Sequence, residues 1–164
     1  MRTQYMLISI FTVLGCGQID SSIKSKDSTA TIPVTISYSM KDLHKLKWIE
    51  GKWRGTHHTK PFYEIYRFAN DSTLEIISYD WNGKDSSHSS KSRVYWKDGA
   101  YYLGDHLNWK VTEITDSSIM MLPNNKASND ILWKYSDSTS WDAILNDKKE
   151  TSEYHMQAYD PFLK

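Results

Sequence analysis

From residue 52 to residue 159 the chain repeats one pattern: a short run alternating apolar and polar residues, a turn signal, then another run. The runs span 52–58, 62–69, 73–80, 89–97, 100–104, 108–115, 118–123, 130–136, 140–146 and 150–159. Between them stand Lys60-Pro61, Asn70-Asp71-Ser72, Asn82-Gly83-Lys84-Asp85, Lys97-Asp98-Gly99, Asp116-Ser117, Asp137-Ser138 and Asn146-Asp147-Lys148-Lys149. A period of two puts one face of each run on a core, as in a half-buried strand. Asn-Gly and Asp-Gly supply the positive φ that tight hairpin turns require. Parallel strands need crossovers of a dozen residues or more, usually helical, and no helical pattern of that length separates these runs. The pattern predicts an all-β fold, an antiparallel up-and-down meander of eight to ten strands. Closing that meander into a barrel removes its exposed edges.

The chain changes character at Trp48-Ile49-Glu50-Gly51-Lys52-Trp53-Arg54-Gly55. Before it, Ser39 and Asp42 form an S-x-x-D capping box, and Leu43, Leu46 and Ile49 recur at helical spacing. These predict a helix over 40–49, ended by Gly51 in the left-handed conformation of a C-cap. Ten residues are too few to hold a helix alone in water, so this one must plug one end of the barrel. Trp53 is large enough to close the floor there.

Upstream of the helix, Arg2 precedes a short apolar run from Met6 to Leu14 that ends at Val13-Leu14-Gly15-Cys16. The run is too short to span a bilayer and suits the core of a signal peptide. The four-residue stretch resembles the lipobox of bacterial lipoproteins, in which the cysteine is acylated and becomes the first residue. The expected division is a signal peptide over 1–15, a tether over 16–39 starting at lipidated Cys16, and a barrel domain over 40–164. The tether, rich in Ser, Thr, Lys and Asp, cannot bury enough apolar surface to order itself; as a coil it reaches about 25–30 Å. Acyl chains anchor a protein without a spanning helix, which places the domain on the bacterial cell envelope, at the outer membrane or a periplasmic face.

Twenty basic residues balance twenty acidic ones, so no bulk field draws the chain to nucleic acid. Cys16 is the single cysteine, which excludes an intrachain disulfide and a cysteine-based zinc site. All seven tryptophans lie between Trp48 and Trp141, enough rings to line a core or an apolar cavity.

Gly51-Lys52-Trp53 resembles the G-x-W that opens the first strand of lipocalins and their calycin relatives. More of the chain, residues 43–145, resembles a group of bacterial lipocalin-like envelope proteins of unassigned function. The resemblance rests on Leu46-x-Trp48-Ile49-x-Gly51-x-Trp53-x-Gly55, on Tyr63-Glu64-x-Tyr66-Arg67 with Asn70-Asp71-Ser72-Thr73-Leu74, and on Lys97-Asp98-Gly99-x-Tyr101-Tyr102. It implies a lipocalin-like barrel. Where those relatives often carry Asn-Pro-x-His-Asp-Phe-Pro, this chain has Leu122-Pro123-Asn124-Asn125-Lys126-Ala127-Ser128. Any chemistry of that His-Asp pair is therefore missing here.

Glu64 alternates with Phe62, Tyr66 and Phe68 and so shares a face with three aromatics. Facing inward, it would recognise a ligand hydroxyl or amine or act as an acid or base; otherwise it pairs with a buried Arg or hydroxyl. Arg67 falls on the opposite face, and Arg93 is a candidate partner from a nearby strand. Trp53, Glu64, Tyr66, Phe68, Trp109, Trp133, Trp141 and Met156 form the expected lining of a cavity. His57 and His58 are adjacent and point to opposite faces of a strand. No H-x-H or H-E-x-x-H occurs, so no metal site and no cofactor are expected. His155 would be the ligand in a calycin-type haem barrel, but alternation sets it with Glu153 and Gln157 on an outer, polar face.

The leading expectation is non-catalytic binding of a small apolar or amphipathic molecule in the barrel of a lipid-anchored protein. An eight-stranded barrel would be filled by these rings, whereas ten strands leave a pocket. The alternative is a structural or interaction scaffold, which calls for an apolar surface patch or an uncovered strand edge. An enzyme or haem binder using Glu64 or His155 is the third reading, and needs two titratable groups converging in the cavity.

Overall fold

The computed structural model describes residues 37–57, 59–81 and 86–160. The signal segment, Cys16 and the tether up to residue 36 lie outside the described residues, as do His58, the turn 82–85 and residues 161–164.

Among the described residues, ten strands follow one short helix: β1 (Gly51–His57), β2 (Lys60–Asn70), β3 (Thr73–Trp81), β4 (Ser86–Lys97), β5 (Ala100–Leu103), β6 (Asn108–Ile114), β7 (Ser118–Asn125), β8 (Asp130–Asp137), β9 (Ser140–Asn146) and β10 (Thr151–Ala158). Every strand pairs antiparallel with its neighbour in sequence, and β10 returns to β1, closing the barrel. The meander thus closes at ten strands, the upper end of the expected range.

Local chemistry explains the tight turns. Asp98 and Gly99 have φ of 50° and 83° and join Lys97 directly to its partner Ala100. Two successive positive φ values match the right-handed twist of the flanking strands. At Asp137, the Oδ1 atom accepts the backbone N–H of Thr139 at 2.7 Å, so the side chain closes its own turn.

Alternation sorts the faces. Inward residues such as Leu74, Ile76, Val94, Val111, Met121, Trp133, Trp141 and Met156 are buried. Outward positions include Lys52, Arg54, Arg67, Arg93, Lys110, Lys134 and Glu153, all exposed. This charged exterior is the reverse of the apolar band on a lipid-facing barrel.

The helix differs from its expected form. Residues Asp42–Ile49 form a 3₁₀ helix, interrupted at Leu46 (φ −89°, ψ 20°). A 3₁₀ helix has three residues per turn, so Leu43, Leu46 and Ile49, spaced by three, fall in one row. All three are fully buried in the same core as Trp53, Tyr66 and Trp141. Burial of each contributes roughly 1.5–3 kcal/mol, which holds a helix too short to persist alone. Ser39 is not the N-cap: that position is Lys41, without a side-chain cap. Asp42 Oδ2 instead accepts both the Ser39 backbone N–H at 2.8 Å and the Ser39 hydroxyl at 3.0 Å. Gly51 has a positive φ of 148°, which favours glycine, but this lies far from the value of about 57° that a left-handed C-cap takes. The turn instead ends at Glu50, which is already extended.

Candidate functional site

The barrel interior divides into two halves. At the helix end the rings pack edge to face. Tyr66 meets Trp133 and Trp141 with centroids 5.6 and 5.5 Å apart, and Trp141 meets Trp53 at 6.1 Å and Trp48 at 6.2 Å. Perpendicular rings set the positive edge of one against the negative face of another. Trp53 also donates its indole N–H to the Ile49 carbonyl at 2.7 Å, which ties the floor of the barrel to the helix.

Beyond this plug lies a cavity of about 410 Å³, within the range of small-molecule sites. Tyr66, Trp133 and Trp141 form its floor; Phe62, Glu64, Ile131, Ala143, Leu145, Tyr154 and Met156 complete the wall. The contributing strands are β2, β8, β9 and β10.

Among the described residues of that lining, Glu64 is the one that carries a charge. Its Oε2 accepts the Tyr66 hydroxyl at 2.6 Å and its Oε1 accepts the Ser78 hydroxyl at 2.9 Å. Ser78 stands directly opposite Glu64 in the β2–β3 register. Burial, reinforced by the charge and the hydrogen bond of Glu64, pushes the Tyr66 phenol well above its ordinary pKa. Tyr66 therefore keeps its proton and remains a donor. None of the ion pairs between described residues includes Glu64. Arg93, a partner considered for it, lies outside the barrel, bonded to Asp105 at 2.9 Å and set over the Tyr95 ring. Arg67, also outside, is held by Glu75 at 2.7 Å.

Of the residues expected to line a cavity, Glu64, Tyr66, Trp133, Trp141 and Met156 do so. Trp53 lies beneath the floor. Phe68 is stacked on His44 at the helix end with ring centroids 5.4 Å apart, and Trp109 donates its indole N–H to the Asn129 carbonyl at 2.7 Å; neither contributes to the wall. Each faces the core, but the cavity occupies only one sector of the interior. Phe62, Ile131, Ala143, Leu145 and Tyr154 line the wall without having been in the expected set, and Ser78, a partner of Glu64, was passed over as well. Ser78 comes opposite Glu64 only through the register shift between Phe68 and Asn70; counting back from the Asn70–Thr73 pair would give Tyr79. The aliphatic residues carried no signal beyond alternation.

His155 stands on the outer face, half exposed, with Nδ1 2.7 Å from Asp142 Oδ1. It and Glu64 are on opposite sides of the barrel wall and do not converge. Among the described residues no three His, Cys, Asp or Glu side chains are placed to hold a metal ion.

No known family model matches the chain, and neither curated proteins nor solved structures provide a significant match.

Proposed function

We propose that this chain is a lipocalin-like, non-catalytic binding protein that takes a small apolar or amphipathic molecule into the cavity beside Glu64. The observation that carries this reading is an apolar, aromatic-floored cavity whose described lining holds a single carboxylate. Such a site buries the body of a guest against rings and orients it through one polar contact. The lipobox-like stretch supports a second part of the proposal: acylated Cys16 holds the protein on the bacterial envelope, with the barrel at the end of its tether.

The binding reading is tested on the full chain carrying Cys16→Ser and titrated with neutral N-phenyl-1-naphthylamine. Saturable fluorescence enhancement, abolished by filling the site with Ala143→Phe, is the expected result. No enhancement, together with a bare polypeptide mass in native mass spectrometry of gently purified protein, would sink it. That outcome favours a scaffold, for which the relevant feature is β4: its residues 86–92 pair with β3 only, because β4–β5 pairing starts at Val94. The anchor is tested by fractionating cells, where Cys16→Ser should release the protein from membranes; unchanged membrane retention would remove the acyl anchor from the proposal.

A further inference from the structure

Glu64 poses a question of charge. Its two oxygens both accept hydrogen bonds, at 2.6 and 2.9 Å, the pattern of an ionised carboxylate, which is acceptor only. Both donors are neutral hydroxyls. They share the negative charge without cancelling it, and Tyr66 retains its proton. A carboxylate offers about four lone-pair sites, so two hydroxyls leave acceptor capacity free. In the ion pairs between described residues, Lys45, Arg67, Arg93, His44 and His155 are each matched to a different carboxylate.

A half-buried charge in an apolar setting is stabilised most by an opposite charge. The described lining offers none, and a guest can supply it. Phe62, Tyr66, Trp133, Trp141 and Tyr154 add the faces of aromatic rings, whose negative quadrupoles also favour a cation.

We infer that the cavity selects a cationic amphiphile: an amine on a small aromatic or aliphatic body, with its ammonium group against the Glu64 carboxylate and its body among the rings. This inference rests on the binding reading above and adds to it the charge of the guest. An anion of the same shape would be excluded by like-charge repulsion. A neutral alcohol would bind through the apolar contacts and one ordinary hydrogen bond.

Displacement of N-phenyl-1-naphthylamine from the full chain carrying Cys16→Ser tests this with three probes of similar shape: 2-phenylethylamine, 2-phenylethanol and 3-phenylpropionate. The expected order is amine, then alcohol, with the carboxylate weakest. A charge-assisted contact should separate amine from alcohol by about tenfold or more. Glu64→Gln, which keeps the shape and removes the charge, should erase that separation and leave the alcohol within about twofold of its original affinity. Equal affinities of amine and alcohol in the unsubstituted site would overturn the inference while leaving the binding reading intact. So would an amine preference that survives Glu64→Gln. Failure of N-phenyl-1-naphthylamine to bind at all would remove both. The ranking of the three probes needs no variant, so a Glu64→Gln protein that fails to fold does not shelter the inference.

Discussion

At Gly55 the absence of a side chain makes room for two others. A Cβ built there would overlap the Phe62 ring and lie 2.6 Å from Met156 Sδ. Both neighbours line the cavity, so Gly55→Ala should push them into it. Overpacking of this kind costs about 1–3 kcal/mol. The expected outcome is a lower denaturation midpoint together with weaker N-phenyl-1-naphthylamine binding; unchanged binding would mean the rings yield elsewhere. Asp142 acts at the same scale on the outer face. Burial alone would raise its carboxyl pKa, but hydrogen bonds from Ser136 and His155, with the charges of His155 and Lys134, outweigh burial and hold it below the ordinary 3.8. A depressed carboxyl binds its proton less readily when folded, so it adds stability above the unfolded value. That stability is lost as pH falls through the lower folded value. Asp142→Asn should therefore reduce stability at neutral pH and flatten its decline in acid, read from thermal melts between about pH 2 and 6. Parallel acid limbs in the two proteins would contradict this account.

The helix depends on one strand residue for its entry. Tyr101 on β5 is fully buried, and its hydroxyl lies 3.0 and 2.8 Å from the carbonyls of Ser39 and Met40 while accepting the Leu43 N–H at 3.3 Å. Burial first, offset by the Leu43 hydrogen bond and supported by the charge of Asp42, raises its pKa to about 12. Tyr101→Phe leaves those backbone groups without their buried partner, at a cost of about 1–3 kcal/mol. The loss should appear first as faster amide exchange over 40–46, ahead of the strands. Uniform exchange would show that the apolar row alone seats the helix. Here the sequence was half legible. The spacing of Leu43, Leu46 and Ile49 announced a plug, but a three-residue repeat fits both helix types. Packing in one row selected the 3₁₀ form.

For the whole molecule, ten strands make the interior wide enough that the rings do not fill it. Trp53, Tyr66, Trp133 and Trp141 gather at the helix end, and the remaining volume collects on the other side of Trp141. A guest that binds only the folded barrel must stabilise it by mass action. At a free concentration one hundred times its Kd, a guest adds about 2.7 kcal/mol. The thermal midpoint should therefore rise with 2-phenylethylamine in the unsubstituted site and hold still in Ala143→Phe. A rise of equal size in both would place binding outside the cavity.

Turn positions and the inward or outward sense of most side chains were determined by the sequence by itself. These depend on short-range physics: the two-residue alternation of a strand and the φ demands of turn residues. The strand count stayed between eight and ten until the pairing of β10 with β1 settled it. Alternation alone placed Glu64 among aromatics and His155 outside. What only the tertiary structure decided were the relations across the barrel. It brought Ser78 and Tyr66 onto the two oxygens of Glu64, sent Arg93 to Asp105, and set Trp53, Phe68 and Trp109 away from the cavity wall. Such relations follow from register, shear and close packing among strands distant in sequence. No window of neighbouring residues carries them, because the contacts exist only once β10 has closed on β1.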